Sequence, residues 1–273
     1  TSEDTLNFFH TQLSIISPFE EPVVFTYSVR IAIEEGPSSE TQRETCTMGY
    51  SIQLRFDGDG GLAAIIDGLG GQGKFRNLEK AGCVLRCRMD RYGTIADATI
   101  ESYTVVPIPG FDMNERRRAK YEYFLRSIMA SSLESAIIPL PRIARAPGLS
   151  WLHEDREWPF RISEELRPPF DVFVFNEAKQ NDLHVASSFT SVSEGHAQEA
   201  LGIEGIPLER QHWKGEYIID GSIHMVKKAR IVAVTETNIP APSSSHKSPE
   251  KDIRCSSVVR TLVFEANLIE NGL

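Results

Sequence analysis

His153 to Trp158 read HEDREW, which sets one imidazole beside three carboxylates, Glu154, Asp155 and Glu157. Clustered acids next to a histidine are the side chains used in general acid–base catalysis and in divalent-metal hydrolysis. No second ligand cluster stands out elsewhere, so a metal-dependent hydrolase built on His153 is an alternative and not the leading reading. Gly68 to Phe75, GLGGQGKF, nearly spells a phosphate-binding loop, with Gly68, Gly73 and Lys74 at the right spacing. Phe75 stands where that loop needs Ser or Thr to hold magnesium, so the segment is read as a glycine-rich hairpin connection. Asp57 to Gly61, DGDGG, suggests a calcium loop, but Leu62 and Gly68 occupy the positions that require Gly and a bidentate Glu. Asp and Gly together supply turn conformations, and a hairpin tip is expected. His212 and His224 are isolated, and Thr1 as an N-terminal nucleophile is set aside for an ordinary chain end. Neither a Gly-x-Ser-x-Gly elbow nor a dinucleotide fingerprint is present. The residues therefore nominate no catalytic group, no metal and no cofactor.

Four cysteines, Cys46, Cys83, Cys87 and Cys255, carry the remaining chemistry. Read as a strand, CVLRCRM separates the Cα atoms of Cys83 and Cys87 by about 13 Å, too far for a disulfide. Cys46 shares the inward parity of its own strand, so a cross-strand disulfide with Cys83 or Cys87 stands beside buried free thiols as an expectation. The spacing does not suit zinc.

The elements that position these groups come from periodicity. Val23, Phe25, Tyr27, Val29, Ile31 and Ile33 alternate with polar neighbours, and Cys46, Met48, Tyr50, Ile52, Leu54 and Phe56 do the same. Each is a strand with one face in a core, and EGPSSETQ joins the two as a hairpin. The turns DGDGG and DGLGGQG, then CVLRCRMD, RYG and TIADATIESYTVV, continue a meander. The period then changes: Tyr121, Phe124, Leu125, Ile128, Met129 and Leu133 recur at three and four residues, predicting an amphipathic helix over about 113–135 that lies on the concave face of the sheet. Arg116, Arg117, Arg118 and Lys120 near its start are read as a solvated face. An earlier helix is expected within residues 1–19, capped by Ser2 and ended by Pro18.

PLPRIARAPG, residues 139–148, is an extended, proline-punctuated linker. Beyond it strands return in PFDVFVFNE, LHVASSFTSV, WKGEYIIDG, IHMVKKARIVAVTET and IRCSSVVRTLVFEANLI. The fold class is α+β and mostly antiparallel β, with two tandem curved-sheet half-barrels over residues 20–138 and 149–273, the first wrapped on the helix. A curved sheet around a helix encloses apolar space that side chains fill unless a greasy ligand does. Its candidate lining is Phe25, Tyr27, Tyr50, Ile52, Leu54, Phe56, Leu85 and Met89 from the sheet, with Phe124, Ile128 and Met129 from the helix. FDVFVF is apolar on both faces, which predicts a strand covered twice.

Bulk properties narrow the classes further. The chain has 273 residues, 29 basic against 38 acidic, and a net charge of −9. Such a field repels a phosphate backbone, which argues against nucleic-acid partners. No apolar run is long enough for a transmembrane helix, and no signal peptide is recognisable.

Pro139, Leu140, Pro141, Gly148, Ser150 and Trp151, with strand–turn–strand units around Asp90–Gly93 and Asp220–Gly221, form a pattern that resembles a bacterial cell-envelope family of unknown function. In that family two lipoprotein-carrier-like half-barrels are joined by a Pro-Leu-Pro linker and a Gly-Leu/Asp-Ser-Trp element. The resemblance covers nearly the whole chain, although this chain has no lipid-modifiable Cys near its start. It implies an exported, non-catalytic binding or assembly protein of the periplasm or cell surface, with protein partners or self-assembly. The alternative it leaves is a carrier of a hydrophobic ligand or lipid.

Overall fold

The computed structural model describes residues 22–37, 44–72, 82–90, 92–104, 136–141, 147–153, 171–194, 208–240 and 255–271, with single positions between 115 and 133. The expected helix within residues 1–19 lies outside these. Eleven strands follow one another: β1 (Val23–Pro37), β2 (Glu44–Phe56), β3 (Gly61–Gly71), β4 (Cys83–Met89), β5 (Ile95–Tyr103), β6 (Ser150–His153), β7 (Asp171–Lys179), β8 (Asp182–Glu194), β9 (Leu208–Asp220), β10 (Val226–Pro240) and β11 (Cys255–Asn271). They form one antiparallel sheet in the order β5-β4-β3-β2-β1-β11-β10-β9-β8-β7-β6. The chain starts at the centre, meanders to one edge, crosses to the other and meanders back. The two halves meet where β1 pairs with β11, through a ladder from Phe25 opposite Asn271 to Pro37 opposite Val258.

Alternation sets the faces. On β1 Val23, Phe25, Tyr27, Val29 and Ile31 are buried, and on β2 Cys46, Met48, Tyr50, Ile52, Leu54 and Phe56 are. Thr26 is buried out of turn beside a register shift between Thr26 and Tyr27 in the β1–β11 ladder, where an irregularity tilts the strand. β1 runs four residues past the alternating segment because its ladder with β11 continues to Pro37.

Between β5 and β6 the described residues Glu115, Arg118, Ala119, Glu122, Leu125, Ile128, Met129, Ser132, Leu133 and Ala136 are helical. Leu125, Ile128, Met129, Leu133 and Ala136 are buried in the same core as the strands, at the three- and four-residue spacing of one helix face, whereas Glu115, Arg118 and Ala119 are exposed. The Tyr50 hydroxyl and Ser132 Oγ are 2.6 Å apart, and Ser132 Oγ donates to the Ile128 carbonyl at 2.7 Å. Since the serine proton is spent on Ile128, Tyr50 is the donor to Ser132, and this bond ties the helix to β2. Ser132→Ala leaves the tyrosine hydroxyl buried without an acceptor and is expected to cost about 1–3 kcal/mol. Tyr50→Phe removes only the donor and costs about 1 kcal/mol. Urea denaturation of both variants and of the double variant checks this order, with the double variant close to Tyr50→Phe alone.

The sheet is curled. Eleven strands laid flat span about 48 Å at roughly 4.8 Å per step, yet a single peptide group touches both ends. The carbonyl of Pro139 accepts from Trp151 Nε1 on β6 at 3.0 Å, and the adjoining N–H of Leu140 donates to the Tyr92 carbonyl, in the β4–β5 turn, at 2.7 Å. Ile137, Ile138 and Leu140 are buried around this clamp.

Two readings are corrected. The glycines of DGLGG do not form a loop: Gly70 lies opposite Gly49 and Gly71 opposite Met48, inside the β2–β3 ladder. The ladder shifts register between Gly49 and Ser51, and a Cβ at Gly49 would meet nothing closer than the Val29 carbonyl at 3.7 Å. No disulfide joins Cys46 to Cys83 or Cys87, all three being buried free thiols. β3 separates their strands, and Cys83 lies opposite Ile66, itself opposite Ile52. That places Cys83 six residues along from Cys46, about 20 Å, with Cys87 farther still.

Candidate ligand-binding interior

Register turns the inward residues into rungs that cross the sheet. One runs Trp151, Phe173, Ser187, Gly215, Ile231, Phe264, Ile31, Met48. The next runs Phe175, Val185, Tyr217, Ala229, Ala266, Val29, Tyr50. The first-half candidates fall on rungs of their own: Tyr27 with Ile52, Phe25 with Leu54 and onward to Leu85, and Phe56 with Leu62 and Cys87. These, with Tyr50, Ile128 and Met129, belong to one buried cluster, and Met89 is partly buried against it. Phe124 lies outside the described residues.

The second half supplies as much of the wall. Trp151 stacks on Phe173 with centroids 5.4 Å apart, and Phe173 leans on Tyr217 at 6.3 Å. Phe173 and Tyr217 fall in segments read as strands, but FDVFVF, apolar on both faces, was expected to be covered twice and gave no inward parity, and no local signal singled out Trp151. Val172 and Val174, the outer face of the same strand, are half-buried, and Leu152 opposite Val172 is exposed. On the outward face of the sheet, a shallow open trough of about 480 Å³ lies over β1 and β2, floored by Gly49 and edged by Ser28, Arg30, Thr47 and Ser51.

The interior carries hydroxyls and thiols but no ionised side chain among the described residues, where the buried polar positions are Thr26, Ser132 and Ser187. Tyr27 is fully buried, and desolvation drives its phenol above the ordinary tyrosine range. Among the described residues its hydroxyl has no hydrogen-bond partner, and neither has Ser187 Oγ. Each such group forfeits a water bond without replacement, at about 1–3 kcal/mol. Cys87 donates weakly to the Leu62 carbonyl at 3.7 Å, and burial pushes its thiol up to about 12. A raised folded-state pKa favours the native state below the unfolded thiol's range and withdraws that contribution as pH climbs toward 12. Cys87 is accordingly expected to stay unlabelled by an aromatic disulfide reagent at pH 8 until urea unfolds the chain; mass mapping of labelled peptides checks it.

Potential chemistry at the surface is structural. Asp90 Oδ1 accepts the Tyr92 and Thr94 N–H groups, both at 2.8 Å. Asp220 Oδ1 accepts from the Ser222 N–H, the Ser222 hydroxyl and Asn181 Nδ2. Desolvation opposes ionisation of Asp220, but the Ser222 and Ile223 bonds with the Lys227 charge outweigh it, and the carboxyl sits below its usual range. Both units are aspartate-closed turns. In DGDGG the Asp57 N–H donates to the Gly61 carbonyl at 3.1 Å, closing the β2–β3 hairpin. Desolvation, then the hydrogen bond and charge of the Asp59 carboxyl, raise Asp57, while the Asp57–Asp59 side-chain hydrogen bond lowers Asp59. Among the described residues no group of three or more His, Cys, Asp or Glu side chains could hold a metal. His153 ends β6 opposite Asp171, and Glu154, Asp155 and Glu157 lie outside the described residues. His224 sits in the Asp220 turn at a φ of 56°, and among the described residues no helix is long and apolar enough to cross a membrane.

Within the linker pattern, Trp151 is tied to Pro139 by the hydrogen bond from its indole. Gly148, at a φ of +84° that suits glycine, donates its N–H to the Phe175 carbonyl at 2.6 Å. Ser150 and Trp151 open β6 opposite Val174 and Phe173, and Trp151 reaches the peptide between Pro139 and Leu140. No protein-family model and no curated protein matches the chain. Among solved structures it is similar to lipovitellin, from work on lipid–protein interactions in that protein, at a TM-score of 0.53 and 11% identity. The match covers 91% of this chain and 25% of the lipovitellin chain, so this chain spans about a quarter of that protein's length, and the likeness is one of fold.

Proposed function

We propose that this chain is a non-catalytic carrier of a hydrophobic ligand, held against the inner face of the curled sheet. The observation that carries this reading is the interior itself: one antiparallel sheet bent round a single apolar core, with hydroxyls and no ionised group among the described residues. Such a lining suits a lipid and offers nothing that moves a proton or steadies a transition-state charge. The likeness in fold to lipovitellin, studied for its lipid–protein interactions, supports it, and the resemblance to a cell-envelope family of unknown function would set the molecule in a bacterial envelope.

Assembly through sheet edges is the second reading, favoured by β5 and β6, which end the sheet and offer backbone groups for pairing. Native mass spectrometry of gently purified protein separates the two. A retained lipid mass, lost on delipidation and regained from vesicles, is the expected result; a lipid-free monomer that takes up no apolar probe overturns the carrier reading, and stable multimers favour assembly.

A further inference from the structure

Tyr27 and Tyr50 sit on adjacent strands and point into the same core, one register step apart: Tyr27 faces Ile52 while Tyr50 faces Val29. Tyr50 is satisfied by Ser132. Tyr27 is as deeply buried, and its hydroxyl has no hydrogen-bond partner among the described residues. Phenylalanine would fill the same space without that loss, and Phe25, two residues earlier on the same face, shows that this part of the core accepts it. A hydroxyl kept where the protein gives it no partner is suited to a partner the protein does not supply.

We propose, resting on the carrier reading above, that the Tyr27 hydroxyl donates to the polar oxygen of an uncharged lipid, such as the ester carbonyl of an acylglycerol, with Ser187 Oγ a second hydroxyl available in the same interior. The charge state follows from what surrounds the site. No Lys or Arg is among the buried described residues, so nothing compensates a carboxylate or phosphate moved into this medium, whereas an ester or alcohol needs only a hydrogen bond. The acyl part has adaptable neighbours in the same cluster, Met48, Met129 and Met225, whose unbranched side chains re-pack at low cost.

The test compares the wild-type chain with Tyr27→Phe and Ser187→Ala, titrating each with a fluorescent diacylglycerol and a fluorescent fatty acid of equal chain length at pH 8. In the carrier reading the wild type takes up the diacylglycerol. The present proposal adds that it prefers the diacylglycerol to the ionised acid by tenfold or more, and that Tyr27→Phe weakens diacylglycerol binding about five- to tenfold. Melting of the ligand-free Tyr27→Phe protein should occur at the same temperature or higher. Opposite signs on binding and stability are what a purely structural tyrosine does not give. Equal affinity of wild type and Tyr27→Phe, or a fatty acid bound as tightly as the diacylglycerol, overturns the proposal while the carrier reading stands. Uptake of neither probe removes both. Should Tyr27→Phe fold poorly, the probe selectivity of the wild type and the Ser187→Ala titration decide the matter: loss of selectivity overturns it.

Discussion

Trp151→Ala is expected to lower stability by about 3–5 kcal/mol, the range for deleting a buried aromatic, and to shift the melting temperature by roughly 6–20 °C at about 2–4 °C per kcal/mol in a chain of this size. Three interactions end together. The indole is almost wholly buried, at 4% exposure, it stacks on Phe173, and its Nε1 donates to the Pro139 carbonyl. The last has a consequence beyond its own strength, because the same peptide group holds the Tyr92 carbonyl at the opposite end of the sheet. Trp151→Phe separates the contributions. It keeps a ring against Phe173 and removes the donor, so about 1–3 kcal/mol of the loss should remain. Native-state hydrogen exchange at Leu140 should then accelerate while amides in β1 and β11 keep their protection, since local openings draw on local bonds. If exchange at Leu140 is unchanged in Trp151→Phe, the peptide is not clamping the two edges.

Gly215→Val carries the second large effect, expected at about 2–3 kcal/mol of destabilisation by urea denaturation. A Cβ at Gly215 would lie 2.5 Å from Ser187 Oγ and 2.7 Å from both Cε2 and the hydroxyl oxygen of Tyr217. The tyrosine ring lies across the glycine, so the side chain missing from one rung is replaced by the ring of the next. Valine otherwise favours strands over glycine, which makes the sign informative: a loss reports crowding and not propensity. Gly49 is the control. Its nearest neighbour would be the Val29 carbonyl at 3.7 Å, an ordinary contact, so Gly49→Ala should be neutral or stabilising by about 0.5–1 kcal/mol. Trimming the ring, in Gly215→Val with Tyr217→Leu, should recover part of the loss relative to Tyr217→Leu alone; no coupling between the two positions would show that the ring does not occupy the space.

Alternation made β1, β2 and β4 readable without coordinates, because a strand's faces follow from a period of two in its own residues, whereas FDVFVF, apolar on both faces, hid its parity until the ladder placed Phe173 and Phe175 inward and left Val172 and Val174 half-buried. The helical stripe of Leu125, Ile128, Met129 and Leu133 was readable for the same reason at a period near 3.6. Asp57, Asp90 and Asp220 announced turns, since an aspartate closing its own backbone is a local event. The glycines of β3 misled because glycine in isolation signals a turn, and only a facing glycine on β2 reveals a ladder. For the cysteines, burial as free thiols was readable, but the disulfide alternative stayed open because shared parity says which face a side chain takes and not how far along the neighbouring strands it lies.

What the residues alone determine, then, is a chain of long antiparallel strands, each with an apolar face, and a helix that must lie against them. Tertiary structure decided that the last strand closes on the first, making one sheet of two halves, and that one peptide at 139–140 draws the far edges together. It also decided that Tyr27, indistinguishable in sequence from Tyr50, is the one left without a partner among the described residues. These outcomes depend on register and on contacts between residues far apart in the chain, set by which total burial is largest and not by the pattern within any one segment.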